Sequence, residues 1–180
     1  KKIIKITNNK KHKLIVPYNL VSTMRAGVLT MGPLLARYPK SKIRVALGGG
    51  CALGIRDTSW HLSGFKSLGA DNILKRGYVN IYSKNGLKGN IFKFPKVTVT
   101  GSSNLIMASV LIKGEHIIKN ISIEPEVKDL IKFLNNSGAK IKFIGKRSIK
   151  IQGVSELING DHTIIGCLLY TSDAADERLR

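Results

Sequence analysis

Acidic residues are scarce in this chain: 11 Asp and Glu stand against 30 Lys and Arg in 180 residues, a formal net charge of +19. So basic a balance points to an anionic partner. Nucleic acid is the first such class, but the lysines are scattered rather than gathered on one helix or tail. No aromatic pair lies on a Lys/Arg-flanked strand, as an RNA-binding sheet needs. An anionic small molecule explains the charge equally well. Cysteine is nearly missing; Cys51 and Cys167 make no disulfide framework, which fits a reducing cytoplasm. Aromatics are 6 % of the chain, so a core must be built from Ile, Leu and Val. No apolar run is long enough to cross a bilayer, and no membrane partner is expected. The opening Lys1-Lys-Ile-Ile-Lys-Ile lacks both an initiator Met and a signal-peptide apolar stretch, and it reads as the start of a fragment. A hydrophobic fraction of 43 % is ordinary for a globular domain, and no tract looks disordered.

What the chain does have is a repeated pattern. Helical periodicity over His61–Ala70 leads into strands at 72–75 and Tyr78–Tyr82. The same order returns as a helix over Val127–Ala139 and strands at 140–144 and Ser148–Gln152. Gly69 and Gly138 stand at equivalent helix C-termini. Upstream of each lies a further helix and strand: 19–37 with Lys42–Ala46, then Ser102–Lys113 with 116–121. Pro33 is expected to kink the first of these helices near Gly32. Strand-like 3–6 and 13–16 read as the end of a preceding copy. A period of about 70 residues suits an α+β domain assembled from a few modules rather than a solenoid.

One loop carries chemistry. Gly48-Gly-Gly-Cys-Ala-Leu-Gly-Ile-Arg-Asp-Thr-Ser-Trp-His61 presents a single cysteine on glycines that allow close backbone approach to a ligand. Arg56 follows Cys51 by five residues. It would lower the thiol pKa and offer a planar fork to phosphate or carboxylate. Cys51 could then serve as proton donor or nucleophile, although a free cysteine is more often a small buried hydrophobe. His61 is read either as a site residue or as a residue that caps or packs its helix. Glu124 and Glu126 beside Pro125 are read as a helix start, where acids suit the dipole, and are left out of the site.

The stretches 17–26, Gly32–Arg37, Gly49–Arg56 with His61, and Glu124-Pro-Glu126, taken together, resemble the UDP-N-acetylglucosamine 1-carboxyvinyltransferases, the MurA family. The likeness runs from about Lys1 to Gly166. It implies an enolpyruvyl-transferase-type fold (inverse α/β barrel), α+β, with repeated units of helices and short strands around buried helices. It implies transfer of enolpyruvate from phosphoenolpyruvate to the 3-hydroxyl of UDP-N-acetylglucosamine with release of phosphate, the first committed step of peptidoglycan synthesis. No cofactor and no metal are implied. By matching position, Cys51 falls on the family's general acid, which protonates the methylene carbon of phosphoenolpyruvate and is alkylated by fosfomycin. Arg25, Arg56, Asp57, Thr58, Ser59, Trp60 and His61 fall at or beside positions that contact the UDP-sugar. Lys96, Val97, Thr98 and Val99 fall on the strand-to-helix turn that holds its diphosphate. A helix beginning at Ser102, preceded by Thr100-Gly101, would offer N–H groups to a phosphate.

The chain departs from the family in places. Asp57 stands where proline is usual and sets a negative charge beside Arg56, so the run Asp57–Trp60 is expected to bind the UDP-sugar more weakly. Gly48 also replaces a frequent proline, and Thr100-Gly101 replaces Gly-Ala. Residues 167–180 follow no family pattern and are read as a non-native tail. Residues 1–166 are read as most of the cysteine-lid domain: two repeats plus the end of a third. The second domain of the same protein is missing, so this piece is expected to be inactive alone. The competing readings are a transferase acting on 3-phosphoshikimate and a non-catalytic basic binding module.

Overall fold

The computed structural model describes residues 14–21, 24–47 and 58–166, with Arg25 described for its backbone only. The strand expected at 3–6, the cysteine loop from Gly48 to Asp57 and the tail 167–180 lie outside the described residues. The first half contains β1 (Ile15–Val16), α1 (Tyr18–Val21), a 3-10 helix (Arg25–Thr30), α2 (Met31–Arg37), β2 (Ile43–Ala46), α3 (Ser59–Ser67), β3 (Asp71–Lys75) and β4 (Tyr78–Tyr82). The second contains β5 (Ile91–Lys93), α4 (Val99–Ser109), β6 (Glu115–Lys119), α5 (Pro125–Asn136), β7 (Lys140–Gly145) and β8 (Ser148–Gln152).

Two four-stranded sheets follow one plan, β1-β2-β4-β3 and β5-β6-β8-β7. In each, the first strand pairs parallel with the second, and a β-hairpin closes the far side. The ladders place Val45 opposite Val79 and Ile118 opposite Ile149. These side chains are fully buried and face the helices, as period-two alternation requires. α5 buries Val127, Ile131 and Leu134, one stripe at helical spacing. It starts as expected at Pro125, with Glu124 at the N-cap and Glu126 in the first turn. Gly69 and Gly138 close α3 and α5 at φ +88° and +91°, a region that costs glycine little.

Two helices differ from the sequence reading. The single helix expected over 19–37 is broken: Met24 is extended, and the chain then winds as a 3-10 helix before α2. The winding changes at Met31 rather than kinking at Gly32. Pro33 sits in the first turn of α2, where a missing N–H costs nothing. The helix expected from Ser102 to Lys113 runs instead from Val99 to Ser109. Thr98 is extended and its hydroxyl accepts from the Gly101 N–H at 3.2 Å, so Thr98, not a later residue, is the cap. Ser102, Ser103 and Ser109 are buried within α4, and each donates its hydroxyl to the carbonyl four residues back, at 2.6, 3.0 and 2.8 Å. A serine-rich helix thereby enters a core without stranded polar groups.

One continuous apolar cluster joins the halves, from Met31, Leu35 and Phe65 to Leu105, Ile106, Ile118 and Ile149. Glycines allow the close approaches. Gly64 of α3 meets the Leu105 side chain, and a Cβ at Gly32 of α2 would overlap the oxygens of Asn104.

Candidate functional site

α4 is the element on which the site is built. Its first N–H groups cannot find acceptors within the helix. Thr98 satisfies Gly101; among the described residues no acceptor meets the N–H of Val99 or Thr100. The positive end of an eleven-residue helix therefore presents two donors where Lys96 and Val97 lead in. Lys96 and Val97 are exposed, and Thr98 and Val99 are half-buried. That arrangement suits an anion at the turn between β5 and α4.

α3 meets this turn through His61. His61 is 5 % exposed. Its Nε2 lies 3.3 Å from Thr100 Oγ1 and its Nδ1 lies 2.9 Å from Asn104 Nδ2. Of its neighbours in the sequence, Thr58 stands at the N-cap of α3, Ser59 is exposed, and Trp60 lies partly buried against the core. Asn104 in turn grips the segment of Arg25: its amide nitrogen donates to the Val28 carbonyl at 2.9 Å, and its oxygen accepts the Gly32 N–H at 2.7 Å. Segments distant in the chain thus converge on one turn of α4, namely 25–32, 58–61 and 96–104. Arg25 opens the 3-10 helix. Cys51, Arg56 and Asp57 lie outside the described residues.

Thr100 and Asn104 escaped the sequence reading as site residues. Their signal was available: Thr100 and Asn104 are polar residues four apart, on one face of a helix. Among the described residues no group of His, Cys, Asp and Glu is arranged to hold a metal. No helix among them is long and apolar enough to cross a membrane.

A concavity adjoins this turn. About 930 Å³ opens beside α2 and α4, lined mainly by apolar side chains such as Leu29, Pro33, Leu34, Met107 and Leu130. Val99 and Thr100 border it, but His61, Lys96 and Thr98 do not.

Comparison with known proteins bears on the fold and the family. The enolpyruvyl transferase NikO from Streptomyces tendae superposes with a TM-score of 0.64 at 14 % identity, over 79 % of this chain and 33 % of that one. An EPSP synthase from Acinetobacter baumannii superposes with a TM-score of 0.58 at 17 % identity, over 74 % of this chain and 30 % of its own. These likenesses establish the enolpyruvyl-transferase fold expected from the sequence. Among curated proteins, the UDP-N-acetylglucosamine 1-carboxyvinyltransferase of Pelagibacter ubique is 45 % identical over 165 residues, 92 % of this chain and 39 % of that protein. The protein of the same name from Trichlorobacter lovleyi is 51 % identical over 140 residues, 78 % of this chain and 33 % of that protein. The chain thus spans well under half the length of these relatives. Residues 1–172 match the family described as EPSP synthase (3-phosphoshikimate 1-carboxyvinyltransferase), and with that match the chain belongs to this family of enolpyruvyl transferases.

Proposed function

We propose that the chain is the cysteine-bearing part of a UDP-N-acetylglucosamine 1-carboxyvinyltransferase. In this reading it contributes to the transfer of enolpyruvate from phosphoenolpyruvate to the sugar 3-hydroxyl, with release of phosphate. The observation that carries the site is the meeting of His61 with Thr100 at 3.3 Å, beside the open N-terminus of α4. It brings the end of the cysteine-loop segment to the turn that, in this reading, holds the diphosphate. Val99 and Thr100 would donate their N–H groups to the diphosphate, and Lys96 would add a mobile positive charge. Arg25 and the run Arg56–Trp60 would hold the uridine and sugar end. Cys51 would deliver its thiol proton to the methylene carbon of phosphoenolpyruvate. The adjacent carbon then accepts the sugar hydroxyl oxygen as the hydroxyl proton leaves, and loss of phosphate with one proton from the new methyl group restores the double bond. Clustered cations stabilise charge on both substrates throughout.

The rest of the protein would supply the other wall of the cleft, and the small-molecule substrates would be the partners. The relatives named for the UDP-sugar favour this reading over 3-phosphoshikimate as acceptor. Amide resonances of the chain, titrated with UDP-N-acetylglucosamine, test it. Shifts centred on Val99, Thr100 and His61, absent with 3-phosphoshikimate, are expected. A response to 3-phosphoshikimate alone, or to duplex DNA in place of either sugar, overturns the reading.

A further inference from the structure

The histidine at the site is held in a definite protonation pattern, and the backbone dictates which. Asn104 is fully buried. Its side-chain oxygen faces the Gly32 N–H at 2.7 Å, and its nitrogen faces the Val28 carbonyl at 2.9 Å. A backbone N–H only donates and a carbonyl only accepts, so the amide cannot be turned over without stranding both. The second hydrogen of Nδ2 then points at His61 Nδ1, 2.9 Å away. Nδ1 must accept, so the neutral ring carries its proton on Nε2. That proton faces Thr100 Oγ1 at 3.3 Å, which leaves the Thr100 hydroxyl its own hydrogen to give.

We propose that Asn104 is a positioning residue for the UDP-sugar site. It fixes His61 as the Nε2–H tautomer and couples the 3-10 helix of Arg25, the start of α3 and the N-terminus of α4 into one unit. Gly32 is part of the device, because only a residue without Cβ lets its N–H reach Asn104. A structural role alone would ask for burial and nothing about the proton. The coupling explains instead how a ligand drawn to α4 is felt at the segment that follows the cysteine loop. The substrate side of this inference rests on the proposed function; the tautomer does not.

The test reads the His61 ring nitrogens by long-range proton–nitrogen correlation on the whole chain at about pH 8, where histidine is neutral. The expected result is an unprotonated Nδ1 and a protonated Nε2 without any ligand. A protonated Nδ1 in the unaltered chain overturns the proposal and leaves the substrate assignment standing. Asn104→Asp replaces the donor by an acceptor and should move the proton to Nδ1. Asn104→Ala should weaken UDP-N-acetylglucosamine binding about tenfold, as expected for one lost positioning hydrogen bond. An Asn104→Ala chain that folds and keeps both the Nε2–H tautomer and its affinity refutes it. Should either variant fail to fold, the ring nitrogens of the unaltered chain still decide.

Discussion

The two halves of this molecule share one topology and differ in what they do with it. Residues 15–82 and 91–152 each build a parallel pair, a hairpin and a glycine-capped helix in the same spatial order. The helix that follows the first strand diverges. In the first half it is broken into α1, a 3-10 turn and the seven-residue α2. In the second it is the continuous, side-chain-capped α4, whose open end points toward the site. The first half supplies His61, and the second supplies the helix terminus and Asn104 that receive it. The repeated topology supplies the frame, and the departures from it fall where the candidate site lies.

The strongest way to break this comparison lies just after the last strand of each sheet. Ser83 follows β4 and shares its hydroxyl hydrogen between the Gly69 and Gly86 carbonyls at 2.9 and 2.8 Å. At the matching place after β8 stands Gly153, pressed onto the Ile112 carbonyl so closely that a Cβ would overlap it. Gly153→Ser should therefore cost about 3 kcal/mol through overpacking against backbone. Ser83→Gly should cost about 1 kcal/mol through the lost hydrogen bond. Urea unfolding of both variants measures the asymmetry, and equal losses would mean that the two closures are interchangeable.

The helix C-caps should show symmetry where the strand ends do not. Alanine at Gly69 or Gly138 must enter the left-handed region, at about 1 kcal/mol each. The Ile158 side chain stands 3.4 Å from the Cβ position at Gly138, an ordinary contact. Thermal unfolding should rank the two variants together.

The smallest effect separates the sheets by pH. Ladder register puts His116 of β6 where β2 has Ile43. His116 is fully buried; its Nε2 donates to the Ile112 carbonyl at 2.9 Å, while its Nδ1 meets no partner among the described residues. Burial lowers its pKa below the ordinary 6.5, although the bond to Ile112 acts in the opposite sense. The unfolded chain then takes up a proton that the folded chain refuses. Stability is full above about pH 6.5 and falls as the pH drops from there toward the lowered folded value. His116→Ile should flatten that acid limb and shift stability at pH 7 by less than about 1 kcal/mol. Unfolding curves at pH 7 and pH 5 decide it; parallel losses in both chains would exonerate His116.

Much of this frame was legible because local signals agreed with each other. The hairpins around Gly77 and at Gly145, the amphipathic α5 and the two glycine caps follow from alternation, helical spacing and positive φ. The two-residue β1 and three-residue β5 carry too little pattern to fix pairing. β5 was implied only through the resemblance, as the strand leading into the 96–99 turn, and its parallel partnership with β6 was not foreseen. The start of α4 was misread because serines at 102 and 103 look like caps. Only the extended backbone at Thr98 and the hydroxyls turned back into the helix show otherwise. At the candidate site, His61 stood out by residue type and the 96–99 turn only by the family resemblance. Asn104 did not, because its meaning depends on Val28 and Gly32, more than 70 residues away in the chain.

The order of residues by itself determined the repeated α+β unit, the family likeness, the basic character and the glycine-borne cysteine. Each depends on composition or on neighbours within a few turns. Tertiary structure alone decided which helix presents a free N-terminus, where His61 points and which of its nitrogens holds the proton. Those are settled by hydrogen-bond partners that only folding brings within 3 Å, and a buried polar group must take the partner it meets.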